Sequence, residues 1–349
     1  MDLAGSRRAG VLALVMLAIL IVLSQAAHAS DQVSVGATNT SGDAPLFIAD
    51  AKGYFKEAGI ELKFMSFDTG AKIIAPLGAG ELDVGGGAAS AGLYNAVERG
   101  IGIKIVADRA RNVPGYGFHA ILVRKDLFDK GEVRKIADLK GRTVAIVAAT
   151  ASDASVLNEA AKSAGIAYTD INKVYLGFAQ QPAAFQNGAI DAAVTSEPSV
   201  TAIVRAGFAV RLTGNDAHYP NAQAGVLMYS DDFAVKRVDV AKRFMKAYLR
   251  AVRDYNSALK EGHIAGPGAD EIIAILAKYS HVKNTETLRT MFAHGCDPDG
   301  QVNIDSLKKD WQFFRDQGQV KGTITVEQVI DLSIAEAAAK ELGPYTRGM

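Results

Sequence analysis

The chain has 349 residues, with 38 Lys+Arg balanced by 38 Asp+Glu, a formal charge of zero and a pI near 7.0. Hydrophobic residues at 49% and charged residues at 22% describe an ordinary folded protein, long enough for about two domains. The charge balance excludes a basic nucleic-acid footprint, and the single cysteine, Cys296, excludes an internal disulfide or a multi-cysteine metal site.

Residues 1–29 read as an export signal. Arg7 and Arg8 precede the apolar run Val11–Leu23, and Ala27-His28-Ala29 offers the small side chains that a signal peptidase reads. Cleavage is expected after Ala29, which implies a periplasmic address; the apolar run is too short for a hydrocarbon core of about 30 Å.

The next elements come in a series that repeats. Val33–Thr38 reads as a strand running into Ser41-Gly42-Asp43-Ala44-Pro45, where Pro45 suits the first turn of a helix. Ala58-Gly59-Ile60 ends that helix and enters a second strand. Pro76 shortens or kinks the helix over Ala71–Gly80, and Gly80-Glu81-Leu82-Asp83-Val84 opens a third strand. About 110 residues later the series recurs as Val144–Val147 leading to Thr150, Ser152 and Asp153, then Ala164-Gly165-Ile166, then Gly188-Ala189-Ile190-Asp191-Ala192. Each half therefore reads as strand, helix, strand, helix, strand, the pattern of a mainly parallel α/β sheet.

Beyond residue 224 the texture changes. Val226–Tyr229 reads as one more strand, and helical patterns follow. Val240, Phe244, Ala247, Tyr248, Ala251, Val252, Tyr255 and Leu259 share one helical face.

In open parallel sheets, ligands bind at loops leaving the carboxyl ends of strands. Here those loops are 38–45 and 84–90 in the first half, and 148–155 and 194–198 in the second. Their hydroxyls and helix-opening N–H groups suit a small anion or zwitterion. The candidate contacts are Thr38, Ser41, Gly87, Ser90, Thr150, Ser152 and Thr195, with Ser90, Ser152 and Thr195 standing between ligand contact and helix capping. The run Gly85-Gly86-Gly87 would let backbone approach a ligand. Arg109, and less so Arg111, could fork onto an anion. Asp43 and Asp153 occupy equivalent places and read as caps. Gly85–Ser90 imitates a dinucleotide fingerprint without its third glycine, Ser90 lacks a G-x-S-x-G elbow, and Asp297–Gly300 lacks a calcium-loop ligand series. No catalytic residue, metal or cofactor is expected.

Four stretches in order, Ala49–Phe64, Gly78–Gly87, Ala137–Val147 and Gln186–Pro198, resemble the periplasmic solute-binding proteins of ABC importers. The branch is the sulfonate/nitrate/taurine, SsuA/THI5-like type, which includes thiamine-pyrimidine precursor binders. The resemblance implies an α/β, two-lobed periplasmic-binding-protein type II fold with a ligand cleft between lobes and a helical C-terminal region. Lobe 1 would take residues 30–112 and 222–349, and lobe 2 residues 113–221. On that topology Tyr116 and His119 lie on the first crossing segment, where either could stack on a ring-bearing ligand or simply pack. Glu197, in the family's acidic-Pro step, would meet an amine or tie the hinge. The implied partners are a small ligand and an ABC permease with its ATPase, around a monomer that does no chemistry. An enzyme on the same scaffold, like the thiamine-pyrimidine synthases, lacks its cysteine-rich motif here; a periplasmic ligand sensor is the other alternative.

Overall fold

The computed structural model describes residues 30–346, so the export-signal reading lies outside the described residues. Ten strands form two sheets: β1 (Asp31–Ala37), β2 (Ile60–Ser66), β3 (Val84–Gly87), β4 (Ile103–Asn112), β5 (His119–Arg124), β6 (Thr143–Ile146), β7 (Asn172–Tyr175), β8 (Ala192–Ser196), β9 (Ala209–Gly214) and β10 (Ala222–Ser230). The first sheet has the order β2-β1-β3-β10-β4 and the second β7-β6-β8-β5-β9. In the first, β10 alone runs antiparallel to its neighbours; in the second, β5 does. The internal repeat thus appears as two sheets of one strand order, with β1, β2 and β3 matching β6, β7 and β8.

The match is not residue-perfect. Ile60 begins β2 directly after Gly59, whereas after Gly165 a short 3-10 turn at Tyr168–Asp170 intervenes before β7. The chain crosses between sheets twice, from β4 to β5 and from β9 to β10.

Helix Val238–Ser257 lies against the first sheet with the apolar face expected from its periodicity. Phe244, Tyr248, Val252 and Tyr255 are fully buried, and they join Val33, Val35, Phe47 and Leu227 in one core. The edge of β4 is covered by C-terminal backbone: Asp108 N–H donates to the Gly300 carbonyl, Arg111 N–H to Gly295 and Asp331 N–H to Ile105. Covering an edge removes a row of unpaired amides that would otherwise recruit another strand.

Helix Ile304–Asp316 ties the two halves together. Phe313 stacks edge-on against Tyr168 of the second half, and Leu307, Phe313 and Phe314 share one apolar cluster with Leu157 and with Leu93 and Ile103 of the first. Ser155 donates 2.6 Å to the Asp310 carboxyl at that junction.

Candidate functional site

All three parallel strands that begin each sheet end at the gap between the sheets, and the crossing segments pass there too. The backbones meet directly: the Ser41 N–H and hydroxyl both donate to the Glu197 carbonyl, at 3.1 and 3.0 Å, and the Ala91 N–H donates 3.1 Å to the Thr150 carbonyl. His281 bridges as well, with Nδ1 3.0 Å from the Asn39 carbonyl and Nε2 2.9 Å from the Ser199 hydroxyl.

Arg109 was expected to present a fork to a ligand; its fork is taken by Asp43. Nε lies 2.8 Å from Asp43 Oδ1 and Nη2 2.7 Å from the same oxygen, with Nη2 also donating 3.0 Å to Thr38 Oγ1. The Asp43 carboxylate further accepts from the Thr38 and Thr40 backbone N–H groups. The guanidinium reaches Asp43 by lying across β10 and β3, where Gly225 and Gly86 make room. A Cβ on Gly225 would stand 2.5 Å from Nη1, and one on Gly86 3.1 Å from Nε. Asp43 is therefore the buried partner of Arg109 rather than only a cap.

The glycine run also serves packing. A Cβ on Gly87 would lie 2.7 Å from Gly70 Cα, and one on Gly85 2.7 Å from the Ile73 side chain. Tyr116 lines a separate cavity of about 300 Å³ with Arg111, Asn256, Cys296 and Tyr345. Arg111 faces that same cavity, its Nε 3.0 Å from Asp108 Oδ2.

Ser152 is the first helical residue and is buried, while Ala151 holds the cap position. Asp153 does not cap: its carboxyl faces the Val147 N–H, and burial pushes its pKa up to about 7. Glu197 behaves as a tie. Its carboxyl accepts from the Thr201 N–H at 2.9 Å, the Thr201 hydroxyl at 2.8 Å and the Phe292 N–H at 3.2 Å, and burial raises it to about 7 against those bonds. The Asp297–Gly300 segment is a turn in which Asp297 Oδ1 accepts from the Asp299 and Gln301 N–H groups.

The remaining candidates have buried polar atoms with no partner. Ser90 Oγ, Thr195 Oγ1 and His119 Nδ1 are in this state, and so are both amide atoms of Asn112 and Asn215 and Nε2 of His294. Ser90 occupies the cap position of helix Ala91–Glu98 but makes no side-chain cap bond. These residues sit at the ends of β3, β4, β8 and β9, the start of β5, and the C-terminal segment beside Tyr255. A buried hydroxyl or amide left unpaired costs about 1–3 kcal/mol.

Sequence reasoning missed part of the gap. A cavity of about 130 Å³ lies between Thr38, Asn39, Ser66, Phe67 and Asp68 on one side and Gly177, Phe178, Ala179 and Gln180 on the other, with His281 at its edge. The loops after β2 and β7 supply most of it. Aromatic rings continue inward: Phe178 is 6.2 Å from His119, which stacks at 4.3 Å on Phe118. Phe118 is 5.3 Å from His294, and His294 stacks at 4.5 Å on Tyr255.

With this geometry in place, comparison with known proteins is decisive for the family. The NMT1/THI5-like family model matches residues 41–258. The chain belongs to that family. Over 319 residues it is 26% identical to the taurine-binding periplasmic protein of Escherichia coli K12, covering 86% of this chain and 92% of that one. The alkanesulfonate-binding protein SsuA of Xanthomonas axonopodis pv. citri, solved with MOPS, superposes with a TM-score of 0.67 at 19% identity over 86% and 97% of the two chains. The nitrate-binding protein NrtA of Synechocystis PCC 6803 gives 0.72 at 14% identity over 89% of each. A desulfurization enzyme, DSZB, gives 0.63 at 14%, covering 90% of this chain and 100% of that one. At such identities the structural matches establish the fold: the α/β, two-lobed architecture of periplasmic binding proteins.

Proposed function

We propose that this NMT1/THI5-like protein is the capture subunit of an ABC importer, exported to the periplasm through a signal cleaved after Ala29. It takes a small organic anion or zwitterion of the sulfonate or carboxylate type between its lobes. Lobe 1 comprises residues 30–112 and 222–349, and lobe 2 residues 113–221. The observation that carries this reading is the set of unpaired buried polar atoms, Ser90 Oγ, Thr195 Oγ1, His119 Nδ1 and His294 Nε2, gathered from both lobes at one gap. An anion's oxygens would satisfy them together, and the direct contacts of Ser41 with Glu197 and of Ala91 with Thr150 would lock the lobes around it. Since ligand would touch both lobes, it would favour the closed form, which a permease could then distinguish from the open one.

A binding reading is preferred over a catalytic one because the Ser199 hydroxyl, 2.9 Å from His281 Nε2, belongs to a bridge between the lobes whose imidazole is oriented by the Asn39 carbonyl and not by a carboxylate. Cys296 is buried in the other cavity, with its thiol pushed well up by burial. The test is calorimetric titration of residues 30–349 with taurine, methanesulfonate, nitrate and benzoate in buffers free of sulfonate. Saturable binding of one class, lost on combined Ser90→Ala and Thr195→Val substitution, is expected. Undiminished binding by the double variant would move the site elsewhere.

A further inference from the structure

We propose that His119 and His294 receive the anionic head group, one imidazole from each lobe, and that capture takes up a proton on His294. The inference rests on the capture reading and adds to it the receiving residues and a coupling.

Arg109 has its charge matched by Asp43, with two of its nitrogens spent on Asp43 and Thr38, and Arg211 donates to the Gly117 carbonyl and lies over the Phe292 ring, with Glu197 and Asp216 as its acidic neighbours. The ring stack leaves His119 Nδ1 and His294 Nε2 without a partner, on residues 7% and 0% exposed. Phe118 lies between the two imidazoles and spaces them, at 4.3 Å from one and 5.3 Å from the other. His119 belongs to the second sheet, and His294 is held against helix Val238–Ser257 of the first lobe by stacking on Tyr255.

His294 is wired to exist in either protonation state. Its Nδ1 lies 2.8 Å from the Tyr255 hydroxyl, and that hydroxyl is also 3.3 Å from the His294 carbonyl. In the neutral ring the hydroxyl donates to Nδ1, and the ring proton sits on Nε2. When Nδ1 takes a proton from solvent, the hydroxyl turns to donate to the carbonyl and accepts from Nδ1–H instead. Both nitrogens then donate, Nε2 toward the ligand. His119 has no second arrangement of this kind and acts as a neutral donor.

The charged and titratable groups around the pair decide the direction. Burial holds His119 down to about 3 and His294 well below its ordinary value, Arg109 adds to the lowering of both, and His119 opposes a charge on His294. Tyr255 is itself held protonated by burial. Glu197 spends its carboxyl on Thr201 and Phe292, and Asp43 spends its own on Arg109 and the backbone, so neither offsets a positive ring. An anion at Nε2 is what supplies the missing charge. Binding therefore raises the proton affinity of His294, and by linkage lower pH raises affinity for the anion.

The probes are taurine and methanesulfonate, whose sulfonate stays ionised throughout, titrated between pH 6 and pH 8 in bis-Tris and Tris. The expected result is a dissociation constant rising several-fold per pH unit, with a buffer-dependent heat that reports proton uptake. Tyr255→Phe should flatten the pH dependence, because the protonated ring loses its acceptor, with an offset in affinity at pH 8 that reports the donor lost by the neutral ring. His119→Asn should weaken binding at every pH and keep the slope. Binding that is pH-independent in the unaltered protein, or a slope unchanged by Tyr255→Phe, would overturn the coupling and leave the capture reading standing. Binding of neither sulfonate at pH 6 would overturn the inference, and persistence of binding by nitrate or benzoate would still uphold capture.

Discussion

Arg109 and Asp43 form a buried ion pair, 2.7 Å apart, although Arg109 lies on β4 and Asp43 in the turn that follows β1. The guanidinium lies over Gly225 and Gly86 to make the contact, so four separate stretches of sequence are committed to a single bond. Its place at the edge of the gap makes it the fixed frame against which the unpaired groups are held.

Asp43→Ala should be among the most destabilising single substitutions in the first lobe. It strands a buried guanidinium and frees the Thr38 and Thr40 amides, and removing one partner of such a pair costs about 3–5 kcal/mol. Chemical denaturation followed by tryptophan fluorescence or circular dichroism measures it. A loss below about 1 kcal/mol would mean the pair is solvated in solution.

Thr195→Val should leave the ligand-free protein as stable as before, or slightly more so, because the lost hydroxyl has no partner. The same change should weaken ligand binding by about tenfold, roughly the net worth of one hydrogen bond in a closed site. Paired thermal melts with and without ligand give both numbers. Equal losses in the two states would identify Thr195 as a structural residue.

Much of this architecture was legible in the sequence because it is local or repeated. The repeat of Ala58-Gly59-Ile60 and Gly80–Val84 in the second half announces two sheets of equal strand order, and 3.6-residue periodicity announces the buried face of helix Val238–Ser257. The candidate site is legible only where it follows from strand ends, as with Ser90, Thr195 and His119. Phe178 and Phe67 follow the edge strands β7 and β2. His281 and His294 carry no such signal, since they reach the gap through tertiary packing of a helical tail. The pairing of Arg109 with Asp43 was not legible: the two lie 66 positions apart, and nothing in either local pattern links them.

Gly87→Ala should destabilise the protein by about 1–3 kcal/mol, the usual range for forcing a methyl into a packed site. The atoms it would meet are the Gly70 backbone, 2.7 Å away, which cannot rotate aside as a side chain can. Gly92→Ala is the control, since its nearest neighbour is the end of the Ser90 side chain at 3.4 Å. Similar melting points for the two variants would show that the β3–Gly70 contact is loose.

Asp310 makes stability pH-dependent at the junction of the lobes. It is buried between helices Ser152–Ser163 and Ile304–Asp316, where it accepts from Ser155 and Tyr219, and burial raises its pKa to about 7. The folded carboxyl thus keeps its proton to about pH 7, whereas the unfolded one releases it near pH 4. Its contribution to stability is greatest below about pH 4, declines as pH rises to 7 and stays low above that. Asp310→Asn, which mimics the protonated group, should gain on the order of 2 kcal/mol at pH 8 and almost nothing at pH 4.5. Urea midpoints at the two values measure the difference. A gain of equal size at both would place the effect in packing rather than ionisation.

His281 tests closure without touching the unpaired cluster. It links the Asn39 carbonyl of the first lobe to the Ser199 hydroxyl of the second, and desolvation at that contact lowers its pKa. Neutrality fits the geometry: Nδ1–H donates to the carbonyl, and Nε2 accepts from the serine. His281→Ala removes both bonds, which exist only while the lobes are together, so it should favour the open form. Ligand would then leave faster, with a dissociation rate raised about three- to tenfold and an association rate little changed. Ser199→Ala should produce a smaller change in the same direction, because the bond to Asn39 survives. Stopped-flow measurement of both rates separates this from a direct contact, for which the two variants would have no reason to follow that order.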